Sequence, residues 1–435
     1  MSKPKVSIVK CEVPEGNKGF IAGKYTRLDA DVQKIKAAVA KAVELSIGSL
    51  DAIIKEGQTV LIKPNLAFQA PPESFAVVDP RTVEAVTAYV KENSKAAKVY
   101  VGDNPSLGMH VGRARPAFEV SGMGEAARLG GADDVILFDE CETVDVDIPG
   151  AKIFKHAKIY KPFVDADVII NLPKMKVHLA NMVTLGVKNW NGIIPNEHPS
   201  GQQQGAHRID LGQKMADILK YRMADLTIVD GIIGMEGQGP HAGTPIEMNL
   251  ILAGQNTVAV DAVACRCMGI YPEESPAIRA AYNDGLGPKE LEDIDVVGEK
   301  VADVMKVFRR PNDNPMSNYH GMDCYFQQTC PGCYVNVRGA LDSFVICGVD
   351  FDKFIQAYGE IVVLAGGCPD FDPEVARGKN LMICGDCWKL FPSKPMVEKA
   401  AEIAKSVTYY PGCAPVYIFS KINTDLQEAA KNLKL

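Results

Sequence analysis

The stretch of sequence that decides the fold is residues 165–195, DADVIINLPKMKVHLANMVTLGVKNWNGIIP. It begins with an apolar run that is short enough for a buried strand, and it then changes abruptly to polar side chains. If the chain stays extended through Pro173, the period of two along a strand places Lys174, Lys176 and His178 on one face. Two ammonium groups and an imidazole on one face predict an anion site with a titratable partner.

The glycines and asparagines that follow indicate that the backbone approaches a ligand closely. Gly186, Gly192, Asn189 and Asn191 suit unusual turns. The simpler interpretation is the solvated basic end of a strand, but bulky apolar segments flank these residues, which is unusual for a surface loop. We therefore predict that residues 165–195 form the floor of an active site.

Strand-like and helix-like segments alternate on both sides of this stretch. The alternation predicts an α/β fold with a mainly parallel sheet and flanking helices. Helices are predicted at 29–45, from Pro80 onward, at 114–129, at 209–222, at 257–269 and at 275–283, with an antiparallel excursion at 143–160 and a glycine-rich loop at 234–245.

Polar residues come directly after the apolar strands, at the edge where open parallel sheets bind ligands. Loops are polar in any case, so the prediction rests on the set rather than on one residue. The residues predicted to gather along this edge are Lys63, Asn65, Asp103, Asn104, Asn171, Lys174 and Asp230.

Length and composition bound the class of protein. A chain of 435 residues can bury more than one core, and we predict an α/β core domain at 1–305, a linker at 306–325 and a smaller cysteine-rich α/β domain at 326–435. The net charge of −7 argues against nucleic acid or an anionic membrane as the main partner. No apolar run approaches the roughly 18 residues that span a bilayer, and the first residues lack the apolar core of a signal peptide. A cytoplasmic location is expected.

The cysteines are unevenly distributed. Four of the twelve are scattered, at Cys11, Cys141, Cys265 and Cys267, and the other eight fall between residues 324 and 413. In a cytosolic chain such clustering favours metal ligation over disulfides. Three predicted strands end at Cys368, Cys384 and Cys413, which suggests a shared edge. Cys265 and Cys267 are expected to be buried thiols.

Two CxxC units in this region predict a metal site. A pair of such units can supply four thiolates to zinc or to an iron–sulfur cluster. The predicted ligands are Cys330, Cys333, Cys384 and Cys387, with Cys413 and Cys324 as competing ligands. Because this region carries strands and helices of its own, an iron–sulfur cluster, of the 4Fe–4S type, is favoured over zinc, and a redox dithiol or no metal at all stays open.

The motifs VLIKPNL, VGDNPS, DADVIINLPKMKVH, TLGVKNWNGIIP and TIVDGIIGMEGQGP resemble the family of domain of unknown function 362 (DUF362), over roughly residues 6–300. The general activity of that family is unassigned, and its members are often fused to ferredoxin-type iron–sulfur modules. This chain has no CxxCxxCxxxCP run, so any cluster would have to be held by the cysteine-rich part in another way.

A second, weaker similarity is to lactate racemase. His178, Gly186-Val187-Lys188 and Pro195 match the outline of the residues that build the site for a nickel-pincer cofactor in that enzyme. The resemblance implies further histidines, for which His156, His207 and His241 are the candidates.

The combined interpretation is an iron–sulfur-dependent enzyme of anaerobic-type metabolism, redox in character, that acts on a small carboxylate or phosphate. His178 is predicted as the general acid or base because its pKa lies near neutrality, and Lys188, Lys174 and Asp230 as further catalytic residues. The predicted substrate-binding residues are Lys63, Asn65, Asp103, Asn104, Asn171, Lys176, Asn189 and Glu236.

Two other classes of function stay open. One is an isomerase or epimerase that removes a proton next to a carboxylate, and the other is a non-catalytic electron carrier or cofactor-assembly protein. The expected partners are the small anion and an electron-transfer protein, with no nucleic acid and no membrane. The sequence is compatible with a homo-oligomer.

Overall fold

A computed structural model describes the chain at residues 3–13, 20–21, 24–25, 29–67, 69–105, 114–195, 210–311, 319–329, 331–346, 348–389, 392–412 and 416–435. The described residues up to Pro311 form one compact unit, and those from Tyr319 onward form a second. Each unit has its own sheet. The predicted α/β fold with a large, mainly parallel sheet and a separate small sheet is confirmed.

The strands of the first unit are β1 (Lys5–Lys10), β2 (Phe20–Ile21), β3 (Lys24–Tyr25), β4 (Thr59–Pro64), β5 (Lys98–Asp103), β6 (Asp134–Leu137), β7 (Thr143–Asp147), β8 (His156–Tyr160), β9 (Val168–Leu172), β10 (Lys174–His178), β11 (Met182–Thr184), β12 (Leu226–Glu236), β13 (Thr244–Gly254) and β14 (Asp295–Gly298). Its helices are α1 (Asp29–Ile47), α2 (Pro80–Asn93), α3 (Ala114–Val120), α4 (Met123–Leu129), α5 (Lys161–Asp165), α6 (Gly186–Asn189), α7 (Leu211–Tyr221), α8 (Thr257–Cys267), α9 (Pro276–Asn283) and α10 (Val301–Val304).

The large sheet has the strand order β14-β1-β13-β12-β9-β4-β5-β6, and β10 and β11 extend it beside β12. Neighbours from β12 to β6 are parallel, whereas β13 is antiparallel to both β12 and β1. Every residue of β9 and β10 is buried. A strand that is buried on both faces reads as a continuous apolar run, which explains the sequence VII at the start of β9.

Local sequence signals account for the helices that flank the sheet. In α1 the buried residues Val32, Ile35, Val39 and Val43 recur at helical spacing. Helix α2 begins as predicted, because Oδ1 of Asp79 accepts a hydrogen bond of 2.9 Å from the backbone N–H of Arg81 and Pro80 occupies the first turn. The antiparallel pair predicted at 143–160 is confirmed as β7 and β8.

Two predictions of secondary structure are wrong in extent. The helix predicted at 114–129 is divided into α3 and α4, because Gly122 adopts a left-handed conformation with φ 71° that ends the first helix. The glycine-rich loop predicted at 234–245 is shorter, since Glu236 pairs with Thr244 and both belong to strands. A side chain at Gly234 would lie 2.8 Å from the Phe308 ring, so this glycine serves packing within the strand.

The second unit contains the strands β15 (Met322–Gln327), β16 (Ile361–Gly366), β17 (Asn380–Cys384) and β18 (Ser406–Tyr410), which form a parallel sheet in that order. Its helices are α11 (Pro331–Ile346), α12 (Phe351–Tyr358), α13 (Ser393–Ile403) and α14 (Val416–Asn432). Its core includes Val362, Leu364, Leu381, Ile383 and Val397. Of the segment predicted as a linker, residues 312–318 lie outside the described residues, Phe308 is buried, and β15 begins at Met322.

Among the described residues, no helix combines the length and the apolar character that crossing a bilayer requires.

Candidate active site

The carboxyl ends of the central parallel strands carry a row of polar side chains. Lys63 at the end of β4 lies opposite Asn171 of β9, and Asn171 lies opposite Thr227 of β12. All three residues are completely buried. The structure therefore brings Lys63 and Asn171, two of the predicted residues, to one edge of the sheet, inside the protein.

Lys63 and Asp103 form a buried ion pair, with 2.7 Å between Nζ and Oδ1. The other carboxylate oxygen of Asp103 accepts a hydrogen bond of 3.0 Å from the backbone N–H of Leu66. Burial lowers the pKa of Lys63 and raises that of Asp103, and the attraction between the two charges opposes both shifts. A side chain at Gly192 would lie 2.3 Å from Oδ1 of Asp103 and 2.9 Å from Nζ of Lys63, so only glycine fits beside this pair.

Lys174 and Asp230 form a second buried pair, with 2.8 Å between Nζ and Oδ2. The same oxygen accepts a hydrogen bond of 2.8 Å from the backbone N–H of Asp79, and Oδ1 accepts one of 3.3 Å from that of Ile232. Asp79 in turn pairs with Arg81 at 2.6 Å. By accepting from these three donors, Asp230 binds both Lys174 and the start of α2.

The predicted asparagines form one hydrogen-bonded chain. Nδ2 of Asn65 donates to Oδ1 of Asn189 at 3.0 Å, and Nδ2 of Asn189 donates to Oδ1 of Asn171 at 2.8 Å. Asn171 donates to the carbonyl of Gly186 at 3.1 Å. Two amide atoms at this edge, Oδ1 of Asn65 and Nδ2 of Asn104, are buried and have no hydrogen-bond partner within the described residues. Unsatisfied buried amides of this kind can bind a ligand.

Asp261 of α8 binds the first turn of the short helix α6. The Asp261 carboxylate accepts hydrogen bonds of 2.7 Å from the backbone N–H of Gly186 and 2.8 Å from that of Val187. Burial nevertheless raises the pKa of Asp261 to about 7. With Asp261 on one side and Asn189 on the other, the backbone around Lys188 has a fixed position.

Lys188 differs from Lys63 and Lys174, which are paired with carboxylates. It is 7 % exposed, and within the described residues its ammonium group makes no hydrogen bond and no ion pair. Burial, together with the positive charge of Lys63, lowers the pKa of Lys188 to about 8. A lysine in this state is partly uncharged near neutral pH.

Lys176 is completely buried and is bound by backbone carbonyls instead of by a carboxylate. Its Nζ donates to the carbonyl of Ala76 and, at 3.4 Å, to that of Pro240. Burial is the main cause that brings the pKa of Lys176 well below its usual range, and the charges of Lys188 and Lys174 add to it. Lys176 therefore holds two loops together at the site, and its position beside other cations favours the binding of an anion.

His178 and Glu236 occupy different surroundings. Nδ1 of His178 accepts a hydrogen bond of 3.0 Å from the backbone N–H of Ala180, so the neutral ring carries its proton on Nε2. Glu236 forms an ion pair with Arg309, with 2.7 Å between Nε and Oε1. It also accepts a hydrogen bond of 2.8 Å from the backbone N–H of Arg309. Glu236 is thus bound to Arg309 and not to one of the predicted substrate-binding lysines.

Sequence reasoning missed two members of the site. Lys214 of α7 is 1 % exposed, and burial together with the charge of Lys188 brings its pKa well below the usual range. Lys214 shares the buried face of α7 with Leu211 and Ile218, and this helical spacing was a readable signal. Asp261 is an acidic residue within an apolar helix pattern, and nothing local indicates that it supports α6. Lys63, Lys174, Lys176, Lys188 and Lys214 are called the lysine cluster below.

The histidines implied by the racemase resemblance are placed differently. His241 is buried, whereas His156 is largely exposed and forms a short contact of 2.5 Å with Asp147. His207 lies outside the described residues.

The cysteines of the second unit converge at the carboxyl end of its parallel sheet. Cys368 follows β16 and Cys384 ends β17, and Sγ of Cys333 lies 3.9 Å from where a side chain would begin at Gly385. Burial raises the pKa of Cys368 and of Cys384, and the other thiols, Cys387 beside Cys368 and Cys368 beside Cys384, add to the rise. The structure thus brings the second cysteine of one CxxC unit to the loop of the other. Cys333, Cys368, Cys384 and Cys387 are called the cysteine rim below.

The backbone of the loops at the cysteine rim is unusual. Gly366, Cys368, Gly385 and Gly412 all have positive φ, at 95°, 41°, 85° and 104°. Cys330 and Cys413, two of the predicted ligands, lie outside the described residues. Within the described part, no three His, Cys, Asp or Glu side chains are arranged so that they could hold a metal ion. As predicted, Cys265 and Cys267 are buried thiols of the first unit.

The model of the family "Domain of unknown function (DUF362)" matches residues 60–266. A thylakoid-associated protein of Synechocystis sp. is 30 % identical over 254 residues, which are 57 % of this chain and 74 % of that protein.

Two solved structures are similar at low identity. The lactate racemase apoprotein of Thermoanaerobacterium thermosaccharolyticum is 13 % identical, with 89 % of this chain and 84 % of that chain covered and a TM-score of 0.38. A protein of Thermotoga maritima is 11 % identical, with 62 % of this chain and 61 % of that chain covered and a TM-score of 0.28. On the sequence match to the Synechocystis protein and the family model, the chain belongs to the family of domain of unknown function 362.

Proposed function

We propose that this protein is an enzyme that binds a small carboxylate or phosphate at the lysine cluster. The observation that carries the proposal is that Lys176 and Lys188 are buried close enough to repel each other, and neither has a carboxylate partner within the described residues. Buried charges are costly unless they are paired. Asp103 and Asp230 are already paired with Lys63 and Lys174, so a bound anion would offset the remaining charge.

The residues around the cluster have distinct roles in this proposal. Lys188 contacts the ligand directly, because its nitrogen has no acceptor among the described residues. Oδ1 of Asn65 and Nδ2 of Asn104 orient the ligand, since both are buried and unsatisfied. His178 donates or accepts a proton through Nε2, which the hydrogen bond at Nδ1 holds in one orientation. Lys174 and Asp230 keep these groups in position.

The second part of the proposal is an iron–sulfur cluster in the second unit. The support for it is that the cysteine rim brings thiols from both CxxC units to one edge of a sheet, where several loop residues have positive φ. Cys333, Cys384 and Cys387 would hold the cluster together with Cys330 or Cys413. When bound, such a cluster would supply or accept single electrons, which is why we favour a redox reaction. A cytoplasmic location belongs to the same proposal, since thiols stay reduced there.

The anion site is tested by thermal unfolding of the purified protein with acetate, lactate and inorganic phosphate. We expect at least one of these anions to raise the melting temperature, because a ligand that binds only the folded state stabilises it. The effect should be much smaller in Lys188→Met, and unchanged in Lys161→Met, an exposed lysine that serves as the control. If Lys188→Met responds to every anion as the wild type does, the lysine cluster is not the binding site.

The cluster is tested separately on protein purified without oxygen. We expect iron and sulfide in the protein and broad absorbance near 400 nm, both lost in Cys384→Ser and retained in Cys141→Ser. A colourless protein with stoichiometric zinc would exclude the redox reaction and would favour an isomerase that uses proton transfer alone.

A further inference from the structure

Lys188 differs from the other lysines of the cluster in what its nitrogen contacts. Nζ of Lys63 and of Lys174 each lies within 2.8 Å of a carboxylate oxygen, and Nζ of Lys176 donates to backbone carbonyls. Lys188 has no such contact within the described residues and is 7 % exposed. An ammonium group on a side chain that is mostly buried and has no acceptor among the described residues is poorly stabilised, so the site favours the uncharged amine.

The surroundings of Lys188 favour the free amine further. The positive charge of Lys63 adds to the effect of burial in lowering the pKa of Lys188, and the charge of Lys188 in turn lowers the pKa of Lys176 and of Lys214. A lysine that is desolvated and surrounded by other cations is an activated nucleophile. The hydrogen bonds from the backbone N–H groups of Gly186 and Val187 to Asp261 fix the backbone from which the Lys188 side chain starts. These are the requirements for covalent catalysis by an amine.

We infer that Lys188 forms an imine with the carbonyl carbon of a 2-oxo acid whose carboxylate is bound by the other lysines of the cluster. The inference rests on the proposed anion site and specifies its ligand. Nζ attacks the carbonyl carbon, a carbon–nitrogen bond forms, and the carbonyl oxygen leaves as water with the two protons of the amine. No oxidant, reductant or further reactant is required. The carboxylate offsets the charge of the neighbouring lysines and holds the carbonyl group at Nζ.

The test is reductive trapping on the full chain. The protein is incubated with glyoxylate or pyruvate, sodium borohydride is added, and the lysines that carry a carboxymethyl or carboxyethyl group are mapped by mass spectrometry of peptides. We expect the adduct at Lys188 and not at Lys63 or Lys174, which serve as internal controls. Near pH 7.5, a pKa of about 8 gives Lys188 roughly two hundred times more free amine than an exposed lysine has, so the adduct at Lys188 should dominate over the adduct at each exposed lysine.

Lys188→Arg separates covalent chemistry from binding. Arginine keeps the positive charge but cannot form the imine, so this variant should still be stabilised by pyruvate and should give no adduct at position 188. Acetate, which has no carbonyl group to attack, should stabilise the wild type and reduce the trapping by competition.

The outcomes distinguish the inference from the function on which it rests. If pyruvate and glyoxylate stabilise the wild type and no adduct forms at Lys188, the anion site stands and the imine is wrong. Adducts spread evenly over exposed lysines also overturn the imine. If no 2-oxo acid and no simple anion stabilises the protein, both proposals fail.

Discussion

Lys188 shows how a single residue can reduce stability for the sake of function. A pKa lowered from 10.5 to about 8 corresponds to about 3 kcal/mol by which the folded protein disfavours the charged form. The fold tolerates this cost at a site where the carboxylates of Asp103 and Asp230 already form ion pairs with Lys63 and Lys174. Residues that lower the stability of the unliganded protein are typical of functional sites.

We therefore expect Lys188→Met to be more stable than the wild type when no ligand is present. A methionine of similar length fills the same space without a charge, so the free energy of unfolding at pH 7 should rise by up to about 3 kcal/mol. Denaturant unfolding measures the change. Lys63→Met is the matched control, because it leaves Asp103 buried without its partner and should lose about 3–5 kcal/mol. A loss of stability in both variants would mean that Lys188 supports the fold.

The free energies of unfolding of the wild type and of Lys188→Met should depend differently on pH. Between about pH 8 and 10.5, Lys188 binds fewer protons in the folded than in the unfolded chain, so its contribution makes the free energy of unfolding rise with pH. Below pH 8 its full cost is present. The difference in stability between Lys188→Met and the wild type should therefore shrink as the pH rises through this window.

At the scale of elements, the sequence predicted the strands and helices well and the support of the site less well. The apolar run of β9 and the cap at Asp79 are local signals, and both elements lie where they were predicted. The extension of β12 to Glu236 depends on pairing with β13, which no local pattern reveals. Likewise, Asp261 reaches α6 from a helix far along the chain, so the sequence alone could not assign it.

The turn that follows α6 gives a prediction at this scale. A side chain at Gly192 would come within 2.3 Å of Asp103 and 2.9 Å of Lys63, so Gly192→Ala should push their ion pair apart. We expect a loss of a few kcal/mol, together with loss of the anion-dependent rise in melting temperature.

Gly124→Ala is the matched control for this change. Gly124 lies in α4, and a side chain there would have ordinary contacts of 3.6 Å or more. Alanine is the better helix former, so this variant should be as stable as the wild type or slightly more stable. Equal melting temperatures for both variants would show that the ion pair can move without cost.

For the whole molecule, the two units predict two separate responses to ligands. Each unit has its own sheet and its own buried core, and the two proposed sites lie in different units. Hydrogen exchange should therefore show slower exchange of β9 and β10 when the anion is added. Removal of iron by a chelator should speed the exchange of β16 and β17 and leave β9 unchanged. If the chelator affects both units equally, their stabilities are coupled.

The place of β1 between β13 and β14 affects how the first unit is made on the ribosome. Val6 pairs with Gly254, and Lys5 pairs with Asp295. The parallel strands β4, β5 and β9 need only the chain up to residue 172, whereas β1 is translated before them and finds its partners last. At roughly 5–20 residues per second, synthesis from β1 to its partner strands takes on the order of tens of seconds. Val6 and Ile8, which are buried in the folded protein, are without those partners until then. During that time β1 is an apolar segment without its partners, and a chaperone on the growing chain can bind it.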